Sequence, residues 1–373
     1  MLHLMTSAAV ITLAAGMLAS PALSAPVQLS DGQLGAVAAG IKFEVTNQVA
    51  DRTGVAPVTD PLLVNPWGLS QGPGGPLWVA NNHTDTSTIY NKDTFAKAPL
   101  DVMVPGGPTG TTYVGLTNAF NITSAGKAGQ TVFAFATESG QISGWNPTVD
   151  PTHAITAVDQ SASGSVFKGL TLGLDETSAR LFAADFGNGV VSIYDTNFSK
   201  VGSFTDPKLP ADYAPFNVQN LRGELYVTFA KKEPGATDET AGRGFGFVDV
   251  FDTDGHLLRR LVEHGRLNAP WGLAIAPANF GKFAGALLVG NFGDGRVDAY
   301  DRTTGQFIGV LKDEDHRRIA IDGLWALRTG PNGTITFSAG PAGETQGLLG
   351  SIGPEMRAWG HDEMASLTEM RLH

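Results

Sequence analysis

Apolar and polar positions along this chain fall into short runs that recur six times, roughly every 50 residues, a spacing that marks a repeat architecture. Each copy opens on an apolar stretch around an aromatic: NPWGL at Asn65–Leu69, NAFNI at Asn118–Ile122, APFNV at Ala214–Val218, APWGL at Ala269–Leu273 and DGLWAL at Asp322–Leu327. The third copy, KGLTL at Lys168–Leu172, is degenerate and lacks the aromatic. A run rich in Val, Ile and Phe follows each opening. Then come a turn and a second run that ends in Tyr, Trp or Phe. Short β-branched and aromatic runs bounded by Gly, Asn and Asp predict strands, and strand-only repeats of about 40–50 residues predict propeller blades. The expected fold is all-β, a six-bladed β-propeller.

Five copies predict four strands each, with first strands at Trp67–Ser70, Asn118–Ile122, Gly169–Gly173, Ala214–Gln219 and Trp271–Ile275. The sixth supplies three: Gly323–Leu327, Thr334–Ala339 and Gly347–Ile352. Its fourth is expected at Ile41–Val49, where Ile41, Phe43, Val45, Asn47 and Val49 share one mostly apolar face. An N-terminal strand that closes the last blade removes exposed sheet edges. The chain then divides into a signal peptide over 1–25, the propeller over 26–353 and a polar C-terminal tail over 354–373.

Composition narrows the partners. The 47 glycines and 21 prolines suit many tight turns. A formal charge of −11 with no basic run argues against nucleic acid. Residues Ala8–Ala19 are nearly all apolar and precede the small-residue stretch Ala22-Leu23-Ser24, the pattern of a cleaved signal peptide, so a secreted or periplasmic protein is expected. That stretch falls short of the roughly 20 residues a membrane span needs, and no span is expected in the mature chain. Cysteine is absent, which excludes thiol nucleophiles, thiolate metal sites and disulfides.

The runs TDPLLVNPWGLS, PLWVANNHTDTSTIYN, IAPANFGKFAGALLVGNFGDGRVDAYD and DGLWAL resemble an uncharacterised family of secreted bacterial NHL-like β-propeller proteins, the conserved hypothetical proteins associated with the PEP-CTERM export system. The resemblance covers Val45 to Ile352. It implies a secreted propeller with NHL-type repeats and no established activity. The hydrophobic sorting helix of many members has no counterpart after Ile352, so anchoring by that route is not expected.

In an antiparallel meander the start of the first strand and the end of the second lie on one face, and there the turns ring the channel mouth. The expected ligand-binding set is Asn81, Asn82, His83, Asn118, Glu138, Lys168, Asp185, Asn217, Asn291 and Asp322, with Asn65, Asn188, Lys231, Lys232, Asn268, Asp294 and Glu344 on the same rim. Glu138, Asp185 and Asp322 would supply charge to a hard cation, Ca²⁺ by preference, with Asn82 or Asn291 adding neutral oxygens. The alternative role of these Asn and Asp residues is turn formation. His83 is the candidate neutral-pH base. Trp67, Phe120, Phe216, Trp271 and Trp325 are expected to pack between blades, a sugar-stacking platform being the alternative. The G-x-S-x-G match at Gly68–Gly72 sits between antiparallel strands and carries no nucleophile elbow.

The expected function is a ligand- or protein-binding scaffold acting through the mouth, with the polar loop Lys231–Arg243 as a flap. The partner would be a small ligand or an extracellular protein or polysaccharide. The alternative is a metal-dependent, lactonase-like hydrolase with a Ca-type ion at the mouth.

Overall fold

The computed structural model describes residues 41–174 and 178–355, within one compact unit. The expected signal peptide, and the tail beyond Glu355, lie outside the described residues. Among those described, no α-helix forms, and no helix is long and apolar enough to cross a membrane.

The strands pair into four-stranded antiparallel meanders in chain order. The first comprises Pro66–Gln71, Leu77–Asn81, Thr86–Tyr90 and Lys97–Met103; the second, Pro108–Tyr113, Phe133–Thr137, Gln141–Asn146 and Asp150–Asp159. The third is Phe167–Leu174, Ala179–Asp185, Val190–Tyr194 and Lys200–Phe204. Tyr213–Leu221, Glu224–Lys232, Phe247–Phe251 and Leu257–Glu263 make the fourth, and Pro270–Ile275, Leu287–Asn291, Val297–Tyr300 and Phe307–Val310 the fifth. In the sixth, Leu324–Thr329, Ile335–Ala339 and Leu348–Pro354 are completed by Phe43–Ala50, antiparallel to Leu348–Pro354. A single parallel bridge, His153 to Met103, links the first two meanders.

Two expectations need correction. The second meander does not begin at Asn118–Ile122. That segment enters a separate hairpin, Asn121–Ser124 with Lys127–Gln130, and Phe120 packs edge-on against Phe198 at 5.2 Å. The first strand is Pro108–Tyr113, whose Gly110 suits a crowded position: a Cβ there would lie 2.3 Å from the Leu170 amide nitrogen. In the closing strand, Phe43 and Val49 are buried but Val45 is 37% exposed. A bulge between Asn47 and Val49 breaks the period-2 pattern of this strand.

The first strands follow one another at close range. A Cβ on Gly68 would meet Thr109, one on Gly169 would meet Asn217, and one on Gly272 would meet the Trp325 carbonyl. Asn217 Nδ2 donates to the Trp271 carbonyl at 2.8 Å, and Ser338 Oγ of the sixth meander donates to the Trp67 carbonyl, which closes the circuit. Each first strand also slips register near its start, at Trp67, Thr109, Lys168, Phe216, Trp271 and Trp325. Such irregularities re-aim side chains. Four of the aromatics consequently meet one another rather than filling gaps between neighbouring sheets. Trp67 stacks on Trp325 with centroids 3.5 Å apart, Trp271 stands edge-on to both, and Phe216 joins them. With Phe186 and Phe292 they form a plug in which Trp325 and Phe216 are wholly buried.

Candidate functional site

Lys168 occupies the position that the first, fourth, fifth and sixth meanders give to an aromatic, and its side chain is fully buried. The stem lies against the plug, with Nζ 5.0 Å from the Trp67 ring centroid. The ammonium donates to Glu138 Oε1 and, at 2.8 Å, to Asp238 Oδ1. Burial works against this charge, but Glu138, Glu239 and Asp238 outweigh it and hold the lysine above its ordinary range. Asp238 moves the other way: burial opposes its charge, Lys168 prevails, and its carboxyl sits below the usual range.

Asp238 and Glu239 come from the loop between the second and third strands of the fourth meander. The loop is held in place at its far end. Glu239 pairs with Lys232 and Thr240 with Lys231 in a short strand extension, and the Gly242 amide donates to Asn268 Oδ1 at 2.6 Å. The expected flap is therefore a folded cover latched to Lys168. Burial pushes the Glu239 carboxyl up to about 7; Lys168 opposes the rise and Glu344 and Asp238 add to it.

A cavity of about 410 Å³ lies beside the latch, lined by Asn82, His83, Glu138, Asp238 and Glu344 among others. Asn65 organises its wall. The Asn65 amide nitrogen donates to Glu344 Oε2 at 2.8 Å and reaches Asn82 Oδ1 at 3.5 Å and His83 Nε2 at 3.4 Å. Its Oδ1 accepts from Trp325 Nε1 at 2.9 Å, tying the wall to the plug. Asn82 Nδ2 in turn donates to Glu138 Oε2 at 2.9 Å. Both Asn65 (φ 46°) and Glu344 (φ 67°) hold left-handed backbone. That costs a non-glycine residue about 1–3 kcal/mol, and such strain gathers at ligand sites. Burial raises the Glu344 pKa with help from Glu138, against Asn65, His83 and Lys168. Among the described residues Glu344 has no ion-pair partner.

Of the expected set, Asn82, His83, Glu138 and Lys168 come together here. The rest lie elsewhere, most of them bracing the fold. Asn81 Nδ2 donates to Thr86 and Thr88 hydroxyls on its own sheet. Asp185, fully buried, accepts from Ser165 Oγ, the Val166 amide and both nitrogens of Asn188. Asn217 ties two first strands together, and Asn291 accepts from the Asn268 amide and donates to Asp298. Asn118 is exposed beside the separate hairpin, and Asp322 is an exposed turn residue accepting from the Ala342 amide. Glu138, Asp185 and Asp322 do not form one ligand set: among the described residues no three His, Asp or Glu side chains are grouped to hold a metal ion. A Ca²⁺ ion does not fit the residues present, since the carboxylates proposed for it are taken by Lys168, by amides and hydroxyls, or by a turn. Asp238 and Glu239 escaped the sequence reading because nothing local in the polar loop says where it lands. Lys168 carried a signal, the missing aromatic in its repeat.

No protein-family model matches the chain. Two uncharacterized proteins of Acanthamoeba polyphaga mimivirus are each 33% identical to it. One aligns over 331 residues, 83% of this chain and 80% of its own length, and the other over 334, 83% and 85%. Among solved structures a streptogramin B lyase has a TM-score of 0.52 at 12% identity, covering 85% of this chain and 99% of that one. The WD40 β-propeller domain of Doa1 has a TM-score of 0.46 at 11% identity, covering 80% and 95%. At such identities the likeness to the lyase shows a propeller-like all-β fold and nothing of its chemistry.

Proposed function

The chain belongs to one family with those two mimivirus proteins, and we propose that it is a six-bladed propeller that binds a small amine-bearing ligand in the latched cavity at the channel mouth. The circuit of first-strand contacts supports six blades. The observation that carries the ligand reading is Glu344: a half-buried carboxylate on left-handed backbone, hydrogen-bonded by Asn65, lining a cavity and without an ion-pair partner among the described residues. Lys168 cannot serve it, because Glu138 and Asp238 already take its charge. An ammonium bound there would supply the missing cation and relieve the burial penalty on Glu344. His83 and Asn82 offer further hydrogen-bonding atoms at the same wall.

Export is part of the proposal, supported by the apolar stretch Ala8–Ala19. A second reading, proton transfer on the bound ligand, is favoured by the place of Glu239 next to Asp238, which lines the cavity, with burial pushing the Glu239 carboxyl up to about 7. The metal-dependent hydrolase has no ligand set among the described residues.

The test is a thermal-shift titration with small primary amines, with Ca²⁺ and Mg²⁺ after EDTA treatment as comparators. A ligand that binds only the folded state adds about 2.7 kcal/mol at roughly a hundred times its dissociation constant. A saturable rise with an amine, lost in Glu344→Gln, is expected. A rise with Ca²⁺ and none with any amine would overturn the reading.

A further inference from the structure

The opposite end of the channel holds a second cavity, of about 320 Å³. Its lining combines the apolar side chains Leu69, Leu170, Val218, Trp271 and Leu327 with polar ones that include Thr111, Gln219, Asn220 and Arg328. Arg328 also lines a smaller cleft between the sixth and first meanders, with Gln71 and Thr336.

Arg328 is unusual in this acidic chain. Its Nη2 donates to Gln71 Oε1 at 3.2 Å, and its Nε is buried without a hydrogen bond. Among the described residues no carboxylate lies within ion-pair distance of it. Burial lowers its pKa, and no neighbouring charge counters that pull. Guanidinium keeps its proton in proteins, and among the described residues this charge has no anionic partner. Gln71 is itself fixed, donating from Nε2 to the Gly75 carbonyl at 2.8 Å, and it steadies the guanidinium.

We propose that this second cavity is a binding site for a small organic carboxylate: Arg328 takes the carboxylate, and the apolar side chains of the lining take the body. An apolar body distinguishes such a ligand from inorganic phosphate, which would leave those side chains against water. The volume suits a ligand of roughly ten heavy atoms, since pockets for small molecules start near 300 Å³. The proposal is independent of the amine site, because the aromatic plug lies between the two.

The probes are benzoate, its neutral counterpart benzamide and inorganic phosphate, each titrated calorimetrically at matched ionic strength into the whole protein. Benzoate is expected to bind at least tenfold more tightly than benzamide or phosphate, and at least tenfold more weakly to Arg328→Gln. Phosphate binding as well as benzoate would overturn the apolar half of the site. Undiminished benzoate binding in Arg328→Gln would overturn the role of the arginine. Should that variant fail to fold, the wild-type comparison of benzoate with benzamide still decides: equal binding overturns the proposal.

Discussion

The two ends of the channel share their scaffold and differ in charge, cover and strain. Among the described residues, Glu344 at one end is a carboxylate without an ion-pair partner, beside a loop latched by Asp238 and Lys168. Among the same residues, Arg328 at the other is a cation without a carboxylate, in a cavity of mixed polar and apolar lining. Asn65 leads into the first strand of the first meander and Lys168 sits near the start of that of the third, while Asp238 and Glu344 come from loops between second and third strands. The middle of the first strands is held to glycines, Gly68, Gly110, Gly169 and Gly272, where neighbouring backbones approach. Arg328 lies beyond that middle, beside uncharged polar residues that include Gln71, Thr111, Gln219 and Asn220.

The largest way to break the comparison is to remove the wall between the ends. Trp325→Ala deletes the stack on Trp67 and Phe292 and leaves Asn65 without its indole donor. A loss of about 3–5 kcal/mol is expected in denaturant unfolding, as for other buried aromatic truncations.

Next in size is Lys168→Met, which keeps the apolar stem and removes the charge. Glu138 and Asp238 lose their shared partner, at a cost of about 2 kcal/mol. That lies below the roughly 3–5 kcal/mol of a fully buried pair, because both carboxylates reach solvent. Trypsin should then cut faster at Lys231, Lys232 and Arg243, since the cover opens locally. Unchanged cleavage would show that the loop does not depend on the latch.

A smaller effect is read through pH. The Glu239 carboxyl is raised to about 7 in the folded protein. Between the ordinary glutamate range and about 7, the folded state therefore holds a proton that the unfolded chain has released. This contribution makes stability fall as pH rises through that window. Asp249, pushed up to about 8 chiefly by burial, adds a fall of the same sign. The quantity to measure is thus the difference between wild type and Glu239→Gln in unfolding free energy from pH 5 to pH 8. The variant should show the shallower decline; parallel curves would contradict the environment described for Glu239.

The smallest change expected is Asp238→Asn. Its side chain is 70% exposed, so about 0.5 kcal/mol is at stake. Amide exchange should accelerate across the loop and leave the plug unaffected.

Much of the fold was legible because strand alternation and turn residues are local signals. Four-stranded antiparallel meanders follow one another in chain order, and the N-terminal strand pairs with the last strand of the final one. The failure at Asn118–Ile122 is instructive. An aromatic opening resembled its counterparts, while the true first strand, Pro-Thr-Gly-Thr-Thr-Tyr, is defined by what can fit beside Leu170 rather than by hydrophobicity. The mouth was legible in part: Asn82, His83, Glu138 and Lys168 converge, and Asn65 and Glu344 of the wider rim complete the wall. The metal set was not, because strand-end carboxylates such as Asp185 look alike whether they cap amides or face a ligand. Arg328 was invisible, since its significance lies in the absence of a partner.

One measurement sets the two ends directly against each other. Benzylamine and benzoate, equal in body and opposite in charge, are titrated by ligand-observed NMR into wild type, Glu344→Gln and Arg328→Gln. The expected result is a double dissociation: Glu344→Gln weakens benzylamine alone, and Arg328→Gln weakens benzoate alone. If either variant weakened both ligands, or neither variant weakened its own, the assignment of two oppositely charged sites to the two ends would be wrong.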